Sequence, residues 1–440
     1  MVLPDVARME HIVRAVPMGR HAGVLTQVVG LLVECRGLQA AMGDLCRVEL
    51  DNGSELDVEV VGFRGGATLV MPLGEADGLH PGASVVPRGT RLEVRGGDAL
   101  LGRVVDGLGR AIDGGPPIPP GRTFPLQRAA PTPMERVPIE EPLPSGVSVI
   151  DAFLTLGRGQ RMGIFSGSGV GKSTLLADVA RSTLADVNVI ALIGERGREV
   201  RHFIEEALCE EGLKKSVIVV ATSDAPPLIR IKACLTATAI AESFRDQGHD
   251  VMMMLDSVTR LAGATREVGL ALGEPPTVKG YPPSFFSSMP KLVERLGRTP
   301  TGSITGIFTV LVDGDDMNDP VADTMRGLLD GHIVLSRDVA QRGRFPAVDV
   351  LRSTSRIMDR VTSEVHREAA IEVRSLMAAY EEARDLVSVG AYKPGSDPKV
   401  DRALAVQTEF EALLAQRTGQ GRTMAETLAL LGNVAGKAAS

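Results

Sequence analysis

The chain opens on an apolar stripe at helical spacing. Leu3, Val6, Met9, Ile12, Val13 and Val16 recur every three or four residues, which predicts a short amphipathic helix over 1–20, a segment that fits a partner as well as its own protein. From 21 to 95 the texture changes to short Val/Leu-rich runs broken by Gly and Asp. Runs 45–50 and 55–63 flank Asp51-Asn52-Gly53-Ser54, and Asn-Gly between such runs predicts a hairpin. Several strands in this span predict a small closed β-barrel, an architecture without free sheet edges. Residues 96–121, with Pro116-Pro117-Ile118-Pro119-Pro120, read as an ordered, non-repetitive linker.

Between 146 and 359 strand and helix patterns alternate. Strand-like runs fall at 160–165, 187–193, 217–221, 251–255, 304–312 and 333–335. Helix-length segments separate most of them, which predicts crossover units and a mostly parallel sheet with helices on both faces. From 364 onward the chain reads as helical, over 364–387, 400–416 and 423–431. The divisions are therefore 1–20, 21–95, 96–363 and 364–440.

Composition narrows the function classes. Of 440 residues, 23% are charged and 44% hydrophobic, an ordinary globular balance with length for a large core. The net charge of −7 argues against a protein that coats nucleic acid. Trp is absent and Tyr occurs three times, so there are few platforms on which bases could stack, and no specific nucleic-acid partner is expected. Cys35, Cys46, Cys209 and Cys234 form no C-x-x-C pair and read as buried free thiols in a reducing cytoplasm. Asp5, Arg8, Glu10 and Arg14 interrupt the first 20 residues, unlike a signal peptide, and no apolar run reaches membrane-spanning length. A cytoplasmic protein is the expectation.

The candidate chemistry lies in the alternating region. Gly167-Ser168-Gly169-Val170-Gly171-Lys172-Ser173 follows a strand-like run and precedes a helix-forming run starting at Thr174, the context a phosphate-binding loop requires. Glycines there let backbone N–H groups turn inward on phosphate oxygens, and the helix adds its positive end. Lys172 would reach the β- and γ-phosphates of ATP, and Ser173 would offer a hydroxyl to Mg2+. The strict pattern asks for Gly where this chain has Ser166, which is still small. An apolar run ending in Asp256 places a carboxylate at the sheet's C-terminal edge, where it would hold magnesium directly or through the ion's bound water. Glu195 and Arg196 follow another strand-like run: the first could polarise an attacking water, the second could contact the γ-phosphate. Arg356 lies far from the loop in sequence and could complete a neighbouring copy's site. The acidic run 313–319 lacks the Gly and terminal Glu of a calcium loop and reads as a polar turn.

These motifs together carry a resemblance. The phosphate loop, Gly194-Glu195-Arg196 and Phe345-Pro346-Ala347-Val348-Asp349…Ser353-Thr354-Ser355-Arg356-Ile357-Met358-Asp359 resemble the catalytic subunit of rotary ATP synthases over nearly the whole chain. Leu255-Asp256-Ser257-Val258-Thr259-Arg260, Gly280-Tyr281-Pro282-Pro283-Ser284 and Gly390-Ala391-Tyr392-Lys393-Pro394-Gly395 are more similar to the type III protein-export ATPases, and the loop residues look flagellar rather than injectisomal. The resemblance implies a RecA-like parallel-sheet core with an N-terminal β-barrel and a C-terminal helical domain. It implies a homohexamer that hydrolyses ATP with Mg2+ at its interfaces to energise export of flagellar proteins. Glu195 would be the catalytic carboxylate, Arg356 the finger, and Phe345 the face against adenine. Loop 273–283 would face the central pore and a coiled-coil stalk protein; the N-terminal helix would bind a stator-like regulator dimer. Export-gate membrane proteins, export substrates and chaperones are the remaining implied partners, at the inner face of the cytoplasmic membrane. The alternatives are an injectisome ATPase, an ATP synthase subunit (whose acidic run this chain lacks), an RNA translocase, and a non-hydrolysing assembly protein.

Overall fold

The structure is a computed structural model that describes residues 22–312, 314 and 316–439. The helix expected over 1–20 lies outside them, as do Asp313 and Asp315 of the acidic run. The chain divides into two compact units. One takes the chain up to Leu92 together with Pro226–Ile229 and Glu267–Pro275; the other takes the rest.

In the first unit β1 (Gly23–Val29), β2 (Leu32–Arg36), β3 (Asp44–Glu49), β4 (Glu55–Arg64), β5 (Ala67–Pro72) and β6 (Ser84–Arg91) close a barrel in the order β1-β2-β5-β4-β3-β6. Its interior is filled by Leu25, Val33, Cys35, Cys46, Val58 and Val70, every second residue of alternating strands. The Asn-Gly hairpin joins β3 to β4. Gly53 sits at φ +76°, where a side chain would be strained, and Asn52 Oδ1 accepts a bond from Ser54 N (2.9 Å).

The second unit holds β7 (Glu93–Arg95), β8 (Val104–Asp106), β9 (Thr123–Pro125), β10 (Arg161–Ser166), β11 (Val187–Ile193), β12 (Ser216–Ala221), β13 (Asp250–Asp256), β14 (Gly297–Arg298), β15 (Ser303–Leu311), β16 (Gly331–Leu335) and β17 (Val348–Ser355). The main sheet runs β17-β16-β10-β15-β13-β11-β12-β8, with β14 on β15. From β16 to β8 the pairing is parallel; β17 is antiparallel to β16. β11, β12 and β15 are buried almost throughout, as the continuous apolar runs of a doubly covered sheet demand.

Two expectations change here. The stretch read as a linker supplies β8 to the edge of the sheet and is bracketed by the small β7–β9 pair. Strands of three residues leave no periodicity to detect, and Asp106 ends β8 by accepting from Leu108 N and Arg110 N (both 2.8 Å). β17 also went unforeseen, because its sequence Val-Asp-Val-Leu-Arg-Ser-Thr-Ser belongs to a half-exposed edge strand rich in polar residues.

The C-terminal helices are Glu364–Ser388, Pro398–Ala405, Gln407–Leu414 and Met424–Ala439. Ser363 and Asp397 cap the first two by accepting from His366 N (3.3 Å) and Lys399 N (2.7 Å). One helix was expected over 400–416. The chain breaks instead at Val406, which leaves helical geometry while its side chain enters the core. Leu376, Leu413 and Val434 join Val149 and Phe153 of helix Ser148–Phe153 in the same core as β10. Three cysteines are buried as expected; Cys209 is exposed, at the start of helix Cys209–Lys214, directly after the π-helical turn Phe203–Leu208.

Candidate active site

The site begins where β10 ends. Met162, Ile164 and Phe165 anchor the strand in the core, and the chain turns through 167–171 into helix Lys172–Ser182. Gly169 and Gly171 take φ of +79° and +90°, which favours glycine. The helix has no side-chain cap, so its first N–H groups remain free for an anion, and Ser173 and Thr174 are exposed beside them.

Sheet order then brings three acidic and basic groups together. β13 is separated from β10 by β15, yet Lys172 Nζ ion-pairs directly with Asp256 Oδ1. It lies 3.6 Å from Glu195 Oε1. Glu195 follows β11, whose Leu192 pairs with Asp256, so both carboxylates stand on the sheet's C-terminal rim. Thr309 on the intervening β15 donates to Asp256 Oδ1 (2.7 Å) and fixes its rotamer. Arg260, one helical turn past Asp256, lays its stem on Gly194: a Cβ there would meet Arg260 Cβ at 3.0 Å.

Burial raises the Glu195 carboxyl above its ordinary value. Lys172 opposes that shift, Asp256 and a hydrogen bond that protonated Glu195 donates to Glu199 reinforce it, and Arg260 opposes it again. Burial pushes the Glu199 carboxyl up too, but its bond with Glu195 and its contacts with Arg196 win and hold it low. Glu195 Oε1 and Ser166 Oγ are buried without a hydrogen-bond partner. One ammonium shared by two carboxylates, with a buried acceptor left over, has capacity for a hydrated divalent cation. Lys172 is engaged by Asp256, so it could reach a phosphate only by leaving that carboxylate.

The other sequence candidates are placed as follows. The ring of Phe345, half exposed, stands over the phosphate loop, 3.7 Å from where a Cβ on Gly171 would be. Phe345 also lines a cavity of about 1050 Å3, together with Gly343, Ala412, Ala415, Gln416 and Arg422. Arg196 is exposed and pairs with Glu199 (3.3 Å) rather than turning in to Lys172. Arg356 is not brought to the loop of its own chain. β17 starts beside Leu335, level with Ser166, and ends beside Gly331, level with the start of β10. Arg356 therefore sits on the opposite rim, exposed, with Nη2 donating to Arg326 O (3.2 Å). Sequence reasoning gave no site role to Thr309 or Arg260. The first carries no signal beyond a polar residue in an apolar strand; the second could have been found from its spacing after Asp256.

A phosphate loop on a parallel sheet, with two carboxylates and a lysine on its C-terminal rim, defines a nucleoside-triphosphate-binding core of RecA type. Family models agree. The nucleotide-binding domain of the ATP synthase alpha/beta family matches residues 146–355, the beta-barrel domain of that family matches 25–89, and the T3SS EscN ATPase C-terminal domain matches 362–433. The chain is 50% identical to the flagellum-specific ATP synthase of Bacillus subtilis over 417 residues, 94% of this chain and 95% of that protein. It is 47% identical to the type 3 secretion system ATPase of Xanthomonas euvesicatoria over 427 residues, 97% of each. The assembled ATPase EscN of the enteropathogenic E. coli type III secretion system superposes with a TM-score of 0.89 at 42% identity, over 94% of this chain and 100% of that one. The chain belongs to the ATP synthase alpha/beta family, within its flagellar and type III secretion ATPase branch.

Proposed function

We propose that this chain hydrolyses ATP in a closed ring of six copies to energise type III export of flagellar proteins. The observation that carries the reading is the convergence of Lys172, Asp256 and Glu195 beside the phosphate loop. In this reading Lys172 leaves Asp256 for the β- and γ-phosphates, while the backbone of Gly167, Ser168, Gly169, Val170 and Gly171 and the hydroxyl of Thr174 cradle the phosphate chain. Ser173 and Asp256 would hold magnesium, which when bound neutralises phosphate charge. Glu195, its carboxyl raised by burial, orients and polarises the water. Arg196 swings off Glu199 to the γ-phosphate. Phe345 offers its ring to adenine, with the adjoining cavity large enough for base and ribose.

Arg356 acts on the neighbouring copy's nucleotide, supported by its place on the far rim of its own sheet. Relatives named for the flagellum at 50% identity, from Bacillus subtilis and Treponema pallidum, favour the flagellar system over the injectisome. A structure of EscN with its central stalk EscO supports a stalk-type partner. A regulator dimer, export-gate proteins, substrates and chaperones complete the proposed partner set, at the inner face of the cytoplasmic membrane. Among the described residues no helix is long and apolar enough to cross a membrane.

The test is Glu195→Gln with steady-state hydrolysis and nucleotide binding measured across protein concentration. Binding is expected to persist and turnover to vanish; equal turnover in both forms removes Glu195 from the mechanism.

A further inference from the structure

Arg356 has an exposed side chain, so its aim depends on what holds its backbone. Arg356 N donates to Asp330 O at 2.9 Å. Asp330 is gripped by Arg161, the first residue of β10. Arg161 N and Nε donate to Asp330 Oδ2 (2.9 and 3.0 Å), and Nη2 donates to Oδ1 (3.0 Å). Asp330 N returns a bond to Arg161 O (2.8 Å). A forked guanidinium clamp with backbone bonds in both directions leaves Asp330 little freedom. Arg161 Nη1 also donates to Glu294 Oε1 (2.9 Å), directly after helix Pro283–Val293. Gln160, one residue earlier, donates from Nε2 to Ser355 Oγ (3.0 Å), directly before Arg356. Gly331, directly after Asp330, lets β17 approach so closely that a Cβ there would lie 2.5 Å from Thr354 O.

One strand therefore has two jobs. At its C-terminal end β10 delivers the phosphate loop of its own copy. At its N-terminal end it carries the clamp that seats Arg356. We propose that Arg161 and Asp330 are positioning residues for Arg356, setting where its guanidinium reaches into the neighbouring site. They also tie that reach to the strand under the chain's own loop. Neither touches nucleotide. The two side chains are only 18% and 21% accessible and the pairing is bidentate, so the clamp also contributes to stability, and the test must read kcat separately from folding. The inference rests on the reading of Arg356 as the cation supplied in trans.

A double-mutant cycle on the full chain under ring-forming conditions tests it, with Asp330→Asn, Arg356→Ala and the pair. Asp330→Asn keeps shape but loses the charged clamp. It is expected to lower kcat on the order of ten- to a hundredfold with KM for ATP nearly unchanged, at unaltered ring size. On the Arg356→Ala background the same change is expected to cost less than about twofold, because the group it positions is gone. Arg161→Lys, which keeps the charge and the backbone donor but loses the fork, should fall between wild type and Asp330→Asn. It also stands in as the probe if Asp330→Asn fails to fold. Equal losses on both backgrounds, no loss of kcat, or a loss that tracks ring dissociation would overturn the positioning role. If Arg356→Ala alone leaves kcat intact, the trans reading fails first and the positioning role with it.

Discussion

Glu195 decides how the site responds to acid. Its carboxyl is raised by burial and, in the proposed mechanism, must be ionised to polarise water. Activity is therefore expected above its raised pKa and lost as pH falls through it, earlier than for an ordinary glutamate. Glu199 adds to the rise through its hydrogen bond, so Glu199→Ala should move the acid limb of kcat/KM to lower pH. A limb that stays put or moves up would show that Glu199 does not set it. Lys172, Asp256 and Glu195 were legible in the sequence because each ends or follows an apolar strand at a spacing tied to phosphate chemistry. Thr309 was not, since only the sheet order puts β15 between Lys172 and Asp256. Phe345 entered through family resemblance alone, and its place over Gly171 comes from the long connection between β16 and β17.

At the scale of elements, the parallel strands were readable because burial on both faces makes them continuously apolar. β8 and β17, the two edges, were not, because an edge is allowed to be short or polar. Among the helices, Pro227–Arg245 is fastened to the chain after Pro283–Val293 by a buried ion pair. Arg295 Nε and Nη2 donate to Glu242 Oε1 and Oε2 (2.9 and 2.8 Å), and Arg295 Nη1 donates to Leu126 O (2.8 Å). The two side chains are 4% and 2% exposed. Glu242→Gln strands a guanidinium in the core and should destabilise the ATPase unit by about 3–5 kcal/mol, read as a lower denaturant midpoint. An unchanged midpoint would mean that water reaches the pair.

For the whole molecule the direction of β17 matters most. With Arg356 on the rim opposite its own loop, the proposed pocket would draw its lysine and glutamate from one copy and its finger from the next. Co-expressing Arg356→Ala with Glu195→Gln should give more hydrolysis than either variant alone, because mixed neighbours pair an intact glutamate with an intact finger. Mixed rings as inactive as either parent would place the finger in its own copy's pocket. The barrel has a different bearing on assembly. Its backbone N–H and C=O groups are committed to a loop of six strands that returns to β1, so crowded copies have no open ladder on which to zip together. Copies that meet through this unit would have to recognise each other by side-chain shape and charge. Such joints would part and re-form without unpicking any backbone pairing.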